Sequence, residues 1–123
     1  AHAEAAGHLL LQRDLALAHG SLGDARLLKR DLTGARQAYQ AGFEIIERLA
    51  AADPGDAMLQ RDLSVAHINL GDVHHLEGSL GAALEAYRRA LAIRLAQAAA
   101  EPADKLRQSD IASAQQLIGD MLR

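Results

Sequence analysis

The side chains with the widest chemical repertoire in this chain are its six histidines, His2, His8, His19, His67, His74 and His75, together with a recurring Arg-Asp dipeptide at Arg13-Asp14 and Arg61-Asp62. Histidine could supply a metal ligand or a general base, and paired guanidinium and carboxylate groups could polarise a substrate. The spacing favours neither use. No two histidines stand four residues apart, the separation that places two ligands on one helical face, and His74-His75 are neighbours whose side chains diverge by about 100° on a helix. There is no HExxH arrangement, no GxSxG elbow, no glycine-rich phosphate loop and no cysteine to act as nucleophile or thiolate ligand. Catalysis, zinc and any cofactor are therefore not expected, and the histidines read as surface or packing residues. The Arg-Asp dipeptides read as solvated faces or as links between adjacent units.

Composition bounds the elements that could carry these residues. Half of the 123 residues are apolar, yet the aromatics are only Tyr39, Phe43 and Tyr87, and alanine is abundant. Ala, Leu, Arg, Glu and Gln favour helices, whereas β-branched and aromatic residues favour strands. An all-α fold follows. A formal charge of −3 of mixed sign argues against nucleic acid and against an anionic membrane as partners. No apolar run reaches the roughly 18 residues that span a bilayer, and the first residues lack a signal-peptide pattern. The absence of cysteine leans toward a cytoplasmic home.

A repeat organises the chain. Leu11-Gln12-Arg13-Asp14-Leu15 returns 48 residues later as Leu59-Gln60-Arg61-Asp62-Leu63, Ala18-His19 as Ala66-His67, Leu22-Gly23-Asp24 as Leu70-Gly71-Asp72, and Ala38-Tyr39 as Ala86-Tyr87. A third copy carries Asp110, Ile111, Ala114, Ile118, Gly119 and Asp120 in the same register. The units run 11–58, 59–106 and, as a half unit, 107–123, with 1–10 matching the tail and linker of a preceding unit.

Each unit reads as two helices. The first has an apolar face at Leu11, Leu15, Ala18, Leu22 and Ala25, repeated as Leu59, Leu63, Ala66, Leu70 and Val73, and then as Ile111, Ala114, Ile118 and Met121. The second shows Leu32, Ala35, Tyr39, Phe43, Ile46 and Ala50, then Leu80, Ala83 or Leu84, Tyr87, Leu91 and Ala98. Arg30-Asp31 and Gly78-Ser79 mark the break between helices, and Pro54 and Pro102 the break between units. Asp56 and Asp104 are placed to cap the following helix. Short loops make consecutive helices antiparallel.

The series Leu70-Gly71, Gly78 to Leu80, Ala83, Tyr87 and Ala90, repeated as Leu22-Gly23, Leu32, Ala35, Tyr39 and Gly42, resembles the tetratricopeptide signature from Leu11 onward. The resemblance implies a right-handed solenoid of antiparallel helix pairs, with about two and a half repeats, that holds another polypeptide. The unit is longer than the family's usual length of about 34 residues, which implies extended helices. His19, His67, Arg26 and His74 stand where the family's first helix has aromatics. Structural positions are Gly23, Gly71 and Gly119, each a glycine inside a helix and so about 1 kcal/mol less favourable than alanine. Ala35 and Ala83 are expected opposite them, with Tyr39 and Tyr87 completing the signature.

In the tetratricopeptide family the side of the first helix holding Asp24, Asp72 and Asp120 lines a concave groove. The resemblance thus implies a partner-binding face of Leu17, Asp24, Leu27, Val65, Ile68, Asp72, His75, Gln116 and Asp120, beside Gly20, Ser113 and Arg123. A second reading has the aspartates hydrogen-bonding between helices. Family members that clamp an acidic peptide tail present lysines, asparagines and an arginine here, but Gly20, Asp24, Gln116 and Asp120 occupy the matching positions and only Asn69 fits. The implied ligand is a peptide or helix of basic and apolar character.

The alternative function is a structural spacer or a self-association module. A terminal helix from about Asp104 to Arg123 with Ile111, Ile118, Met121 and Leu122 uncovered would favour an end-to-end homodimer.

Overall fold

The structure, a computed structural model, describes the backbone of residues 2–100 and 105–123 and the side chains of 7–100 and 108–123. Within those residues the chain is helical, with α1 at His2–Leu28, α2 at Leu32–Ala52, α3 at Ala57–Leu76, α4 at Leu80–Ala100 and α5 at Lys105–Leu122. α1 packs on α2 and α3 on α4 as antiparallel pairs, while α2 meets α3 and α4 meets α5 to join successive pairs. The result is a helix-pair solenoid, as the periodicity requires. Residues 2–10 are continuous with α1. Pro102 and Asp104 lie outside the described residues.

The breaks between helices have a common construction. α1 ends with Arg30 at a φ of +62° and α3 ends with Gly78 at +82°, equivalent positions one unit apart. At both, the next amide reaches back over the last turn: Asp31 N–H donates to Arg26 O at 2.9 Å and Ser79 N–H to His74 O at 2.8 Å. A residue in the left-handed region lets the chain reverse and satisfies carbonyls that have no partner within the helix. Asp31 then opens α2 by accepting from Gly34 N–H at 2.9 Å, and Asp56 opens α3 by accepting from Met58 and Leu59 N–H at 3.0 and 3.1 Å.

Two apolar clusters sit where three helices meet. One joins Ala16 of α1, Ile46 and Ala50 of α2, and Leu59 of α3; the other joins Ala35 and Tyr39 of α2 with Leu70 and Val73 of α3. α2 is thus the shared wall of the first two units. Its buried stripe also includes Ala38 and Gly42, and that of α4 includes Ala86 and Ala90, small residues that let the antiparallel partner approach. At Gly42 the approach is backbone to backbone, since a Cβ there would lie 2.8 Å from the Ala16 carbonyl oxygen.

Three expectations are corrected. The apolar face predicted for the first helices is buried on α3 at Leu59, Leu70 and Val73 and half-buried at Leu63 and Ala66, but on α1 Leu11, Leu15, Ala18, Leu22 and Ala25 are exposed, because α2 covers α3 and no described helix occupies the equivalent place beside α1. Gly23 and Gly71 face not alanines but the rings of Tyr39 and Tyr87, and Gly119 at the same register has nothing within 4 Å of its Cβ position. On α5, Ile111 is buried and Ile118 and Met121 are half-buried, because α4 covers them; only Leu122 of that group is exposed.

Candidate functional site

The first helices α1 and α3 run side by side with α2 behind them, and the trough between them is an open groove of about 310 Å³. Leu17, Gly20, Ser21 and Asp24 form its α1 wall, and Arg61, Asp62, Val65, Ala66 and Asn69 its α3 wall. Phe43, Tyr39 and Ile46 of α2 contribute to the floor. Residues 17, 20, 21 and 24 fall three or four apart, the spacing of one helical face. Small Gly20 and Ser21 leave the trough open where larger side chains would fill it.

In each of the two helix pairs an aspartate of the first helix and a tyrosine of the second are joined. The Tyr39 hydroxyl donates to Asp24 Oδ1, and the Tyr87 hydroxyl donates to Asp72 Oδ1 at 2.6 Å. Burial of each ring and the carboxylate beside it hold both tyrosines protonated well above the usual phenol range. Asp72 is itself pushed up by burial and by the charge of Asp24, against the stabilising hydroxyl of Tyr87 and the charge of His75. The charges of Asp24 and Asp72 thus act on one another, and each carboxylate is an interhelix hydrogen-bond acceptor.

Leu17, Asp24 and Val65 of the predicted face come together in the groove. Leu27 lines a second open depression alongside, with Asp24, Leu28, Arg30 and Leu76. Ile68 and Asp72 are half-buried further along α3, and His75 is exposed near Asp72. Gln116 and Asp120 are exposed on α5, away from the groove, with Asp120 facing Arg123 at 3.8 Å.

The recurring Arg-Asp dipeptides turn out to link units. Arg13 Nε and Nη2 donate to Asp62 at 2.6 and 3.2 Å, and Arg61 repeats the contact to Asp110 at 3.2 and 3.4 Å. Each arginine reaches the aspartate one position beyond its own equivalent in the next unit. The hydrogen bonds to Asp62 hold Arg13 above its ordinary range despite partial burial. Bidentate geometry of this kind fixes orientation as well as adding energy.

One polar node was not anticipated. Arg94 on α4 is buried, donating from Nε to Ser64 Oγ at 3.3 Å and from Nη1 to the Asp110 carbonyl at 2.9 Å. Burial lowers its affinity for the proton, with Asp110 acting in the opposite sense. In the first unit the equivalent positions are the apolar pair Ala16 and Ile46. The signal in the sequence was the paired departure from the repeat, Ala16 to Ser64 and Ile46 to Arg94.

Of the described histidines, His8 and His75 are exposed and His19, His67 and His74 are half-buried. His67 meets the Phe43 ring edge-on with centroids 4.9 Å apart, and burial, with Arg89 nearby, lowers its basicity. Among the described residues no three His, Asp or Glu side chains are grouped to hold a metal ion, and no helix is long and apolar enough to cross a membrane. No protein-family model matches the chain, and no curated protein matches it.

Proposed function

We propose that this chain is a tetratricopeptide-like interaction scaffold that holds a peptide or helix of a partner protein in the groove between α1 and α3. The single observation that carries the reading is the groove itself: an open trough flanked by Leu17 and Val65, with the Asp24 carboxylate at its edge. Asp62 in the α3 wall is already neutralised by Arg13, which leaves Asp24, backed by Asp72, as the anionic feature offered to a ligand. A segment with apolar side chains for the trough and a Lys or Arg opposite Asp24 fits this surface. The second reading, a spacer or self-association module, is favoured by the exposed leucines of α1.

The test uses a panel of labelled helical peptides bearing leucines on one face and either arginines or glutamates beside them, titrated against the chain by fluorescence anisotropy. Arginine-bearing peptides are expected to bind, with affinity falling about tenfold or more, roughly 1.4 kcal/mol, on Leu17→Glu or Val65→Glu while helicity is retained. Asp24→Asn, whose amide oxygen can still accept from the Tyr39 hydroxyl, must be compared with Tyr39→Phe, because the first removes the charge and the second removes the hydrogen bond while keeping the charge. Equal binding of both peptide types, or indifference to Leu17→Glu and Val65→Glu, would sink the groove reading and leave the spacer.

A further inference from the structure

Equivalent leucines in this chain have opposite fates. Leu59 is 2% exposed and Leu70 is 7% exposed, whereas Leu11 and Leu22, one unit earlier in the same register, are 68% and 42% exposed. Leu15 is exposed where Leu63 is half-buried, and Ala25 where Val73 is fully buried. The difference lies in the neighbour. The face of α3 is covered by Ala35, Ile46 and Ala50 of α2, a second helix of the preceding pair.

A polar mark sits beside this face. Asp62 and Asp110 each receive a two-pronged arginine from the first helix one unit earlier. Asp14 occupies the same register on α1 and is exposed. α1 therefore presents both halves of an interface that is already built inside this chain, the apolar strip and the carboxylate.

The geometry points to the exposed face of α1 as a docking surface for one further helix pair of this same repeat type, joined ahead of α1. Its second helix lies over Leu11, Leu15, Leu22 and Ala25 as α2 lies over α3, and its first helix brings an arginine to Asp14. Two features of the chain support this occupant over an unrelated helix or a second copy. The surface continues an internal interface register for register, and its charge complements the arginine that every such link uses.

The experiment duplicates one unit within the full chain, so that residues 1–56 are followed directly by residues 9–123, which reuses the natural Asp53-Pro54-Gly55-Asp56 junction. The added unit's arginine then faces Asp14 of the retained first unit. The lengthened chain is expected to remain monomeric, to unfold in one transition, and to melt roughly 5 °C or more above the parent, since stacked repeats stabilise through neighbour interfaces. Asp14→Arg at the retained unit should lower that melting temperature while barely moving the parent's, and Arg→Asp at the added unit's Arg13 position should restore it. Independent melting of the added unit, or equal effects of Asp14→Arg with and without it, would overturn the inference. So would a stable dimer of the parent chain abolished by Leu15→Glu, because the face would then belong to a second copy.

Discussion

The Cε1 atom of Tyr87 lies 2.6 Å from where a Cβ on Gly71 would be, so the tyrosine ring occupies the space that any other residue at 71 needs. The ring's hydroxyl is at the same time held by Asp72, one residue along the same helix. Gly23, Tyr39 and Asp24 reproduce the arrangement in the first unit. Glycine at this register is thus a receptor for a ring whose outer end is tethered, which prevents the ring from swinging away.

Substitutions at this register should therefore differ in sign between units. Gly71→Ala forces ring or helix to shift and is expected to cost about 1–3 kcal/mol, and Gly71→Leu more, seen as a clear fall in melting temperature. Gly119→Ala meets nothing within 4 Å and should stabilise by up to about 1 kcal/mol through helix propensity. Urea denaturation of the two alanine variants checks the contrast; equal losses at both positions would refute the ring-packing account.

The tyrosine pairs also predict an alkaline limit. Both phenols keep their protons in the folded chain to higher pH than an unfolded tyrosine, which ionises near pH 10. Above that value the unfolded chain binds fewer protons than the folded one, so stability falls as pH rises. The contribution is fully present below about pH 10. A Tyr39→Phe, Tyr87→Phe variant should be less stable at neutral pH, by about 1 kcal/mol per lost hydrogen bond, yet show a flatter decline between about pH 9 and 11. Melting temperatures across that range, with ultraviolet absorbance to follow phenolate formation, provide the measurement.

A simple gain is available at the first helix break. Arg30 adopts the left-handed conformation that Gly78 adopts one unit later, and a side chain there costs about 1–2 kcal/mol. Arg30→Gly is expected to recover about 1 kcal/mol of that, measured by thermal or urea unfolding, whereas Gly78→Arg should lose a similar amount. A loss on Arg30→Gly would mean that the arginine side chain makes a compensating contact.

The buried Arg94 invites a paired exchange. Arg94→Ala alone removes a guanidinium that satisfies Ser64 and the Asp110 carbonyl, and should cost about 2–4 kcal/mol as a cavity and two lost bonds. Ser64→Ala with Arg94→Ile installs the residues of the first unit and should be neutral or stabilising, by up to about 4 kcal/mol, as buried ionic groups replaced by packed apolar ones often are. Chemical denaturation of single and double variants distinguishes the two. A double variant as unstable as Arg94→Ala would show that α5 depends on the polar node itself.

Much of the architecture was legible because the 48-residue offset repeats both residues and punctuation. Helix number, helix pairing and the caps at Asp31 and Asp56 all follow from residue types with strong local preferences. What the sequence could not give was the occupancy of each face. Leu11 and Leu59 sit in identical local sequence, and only the presence of α2 beside one of them decides which is buried. The glycine notches were legible as close contacts, but the partner was misjudged: small residues suggested small partners, whereas a ring lying across a bare Cα satisfies the same pattern. For Asp24 and Asp72, register alone allowed a groove or an interhelix hydrogen bond, and Tyr39 and Tyr87 stand 15 residues away, beyond any local motif. Leu17 and Asp24 converge with Val65 because the α1 and α3 walls face each other across the trough; Gln116 and Asp120 do not, since α5 lies one helix pair further on.

Because the guanidiniums of Arg13 and Arg61 each reach forward to a carboxylate one place past their own counterpart, the array has a heading, like a column of people each resting a hand on the shoulder ahead. Whole modules can be added to or taken from such a column without disturbing the grip between the rest. Losing a single residue inside a module would turn the next hand away from its shoulder, so length in this architecture changes in steps of one complete turn of the pattern.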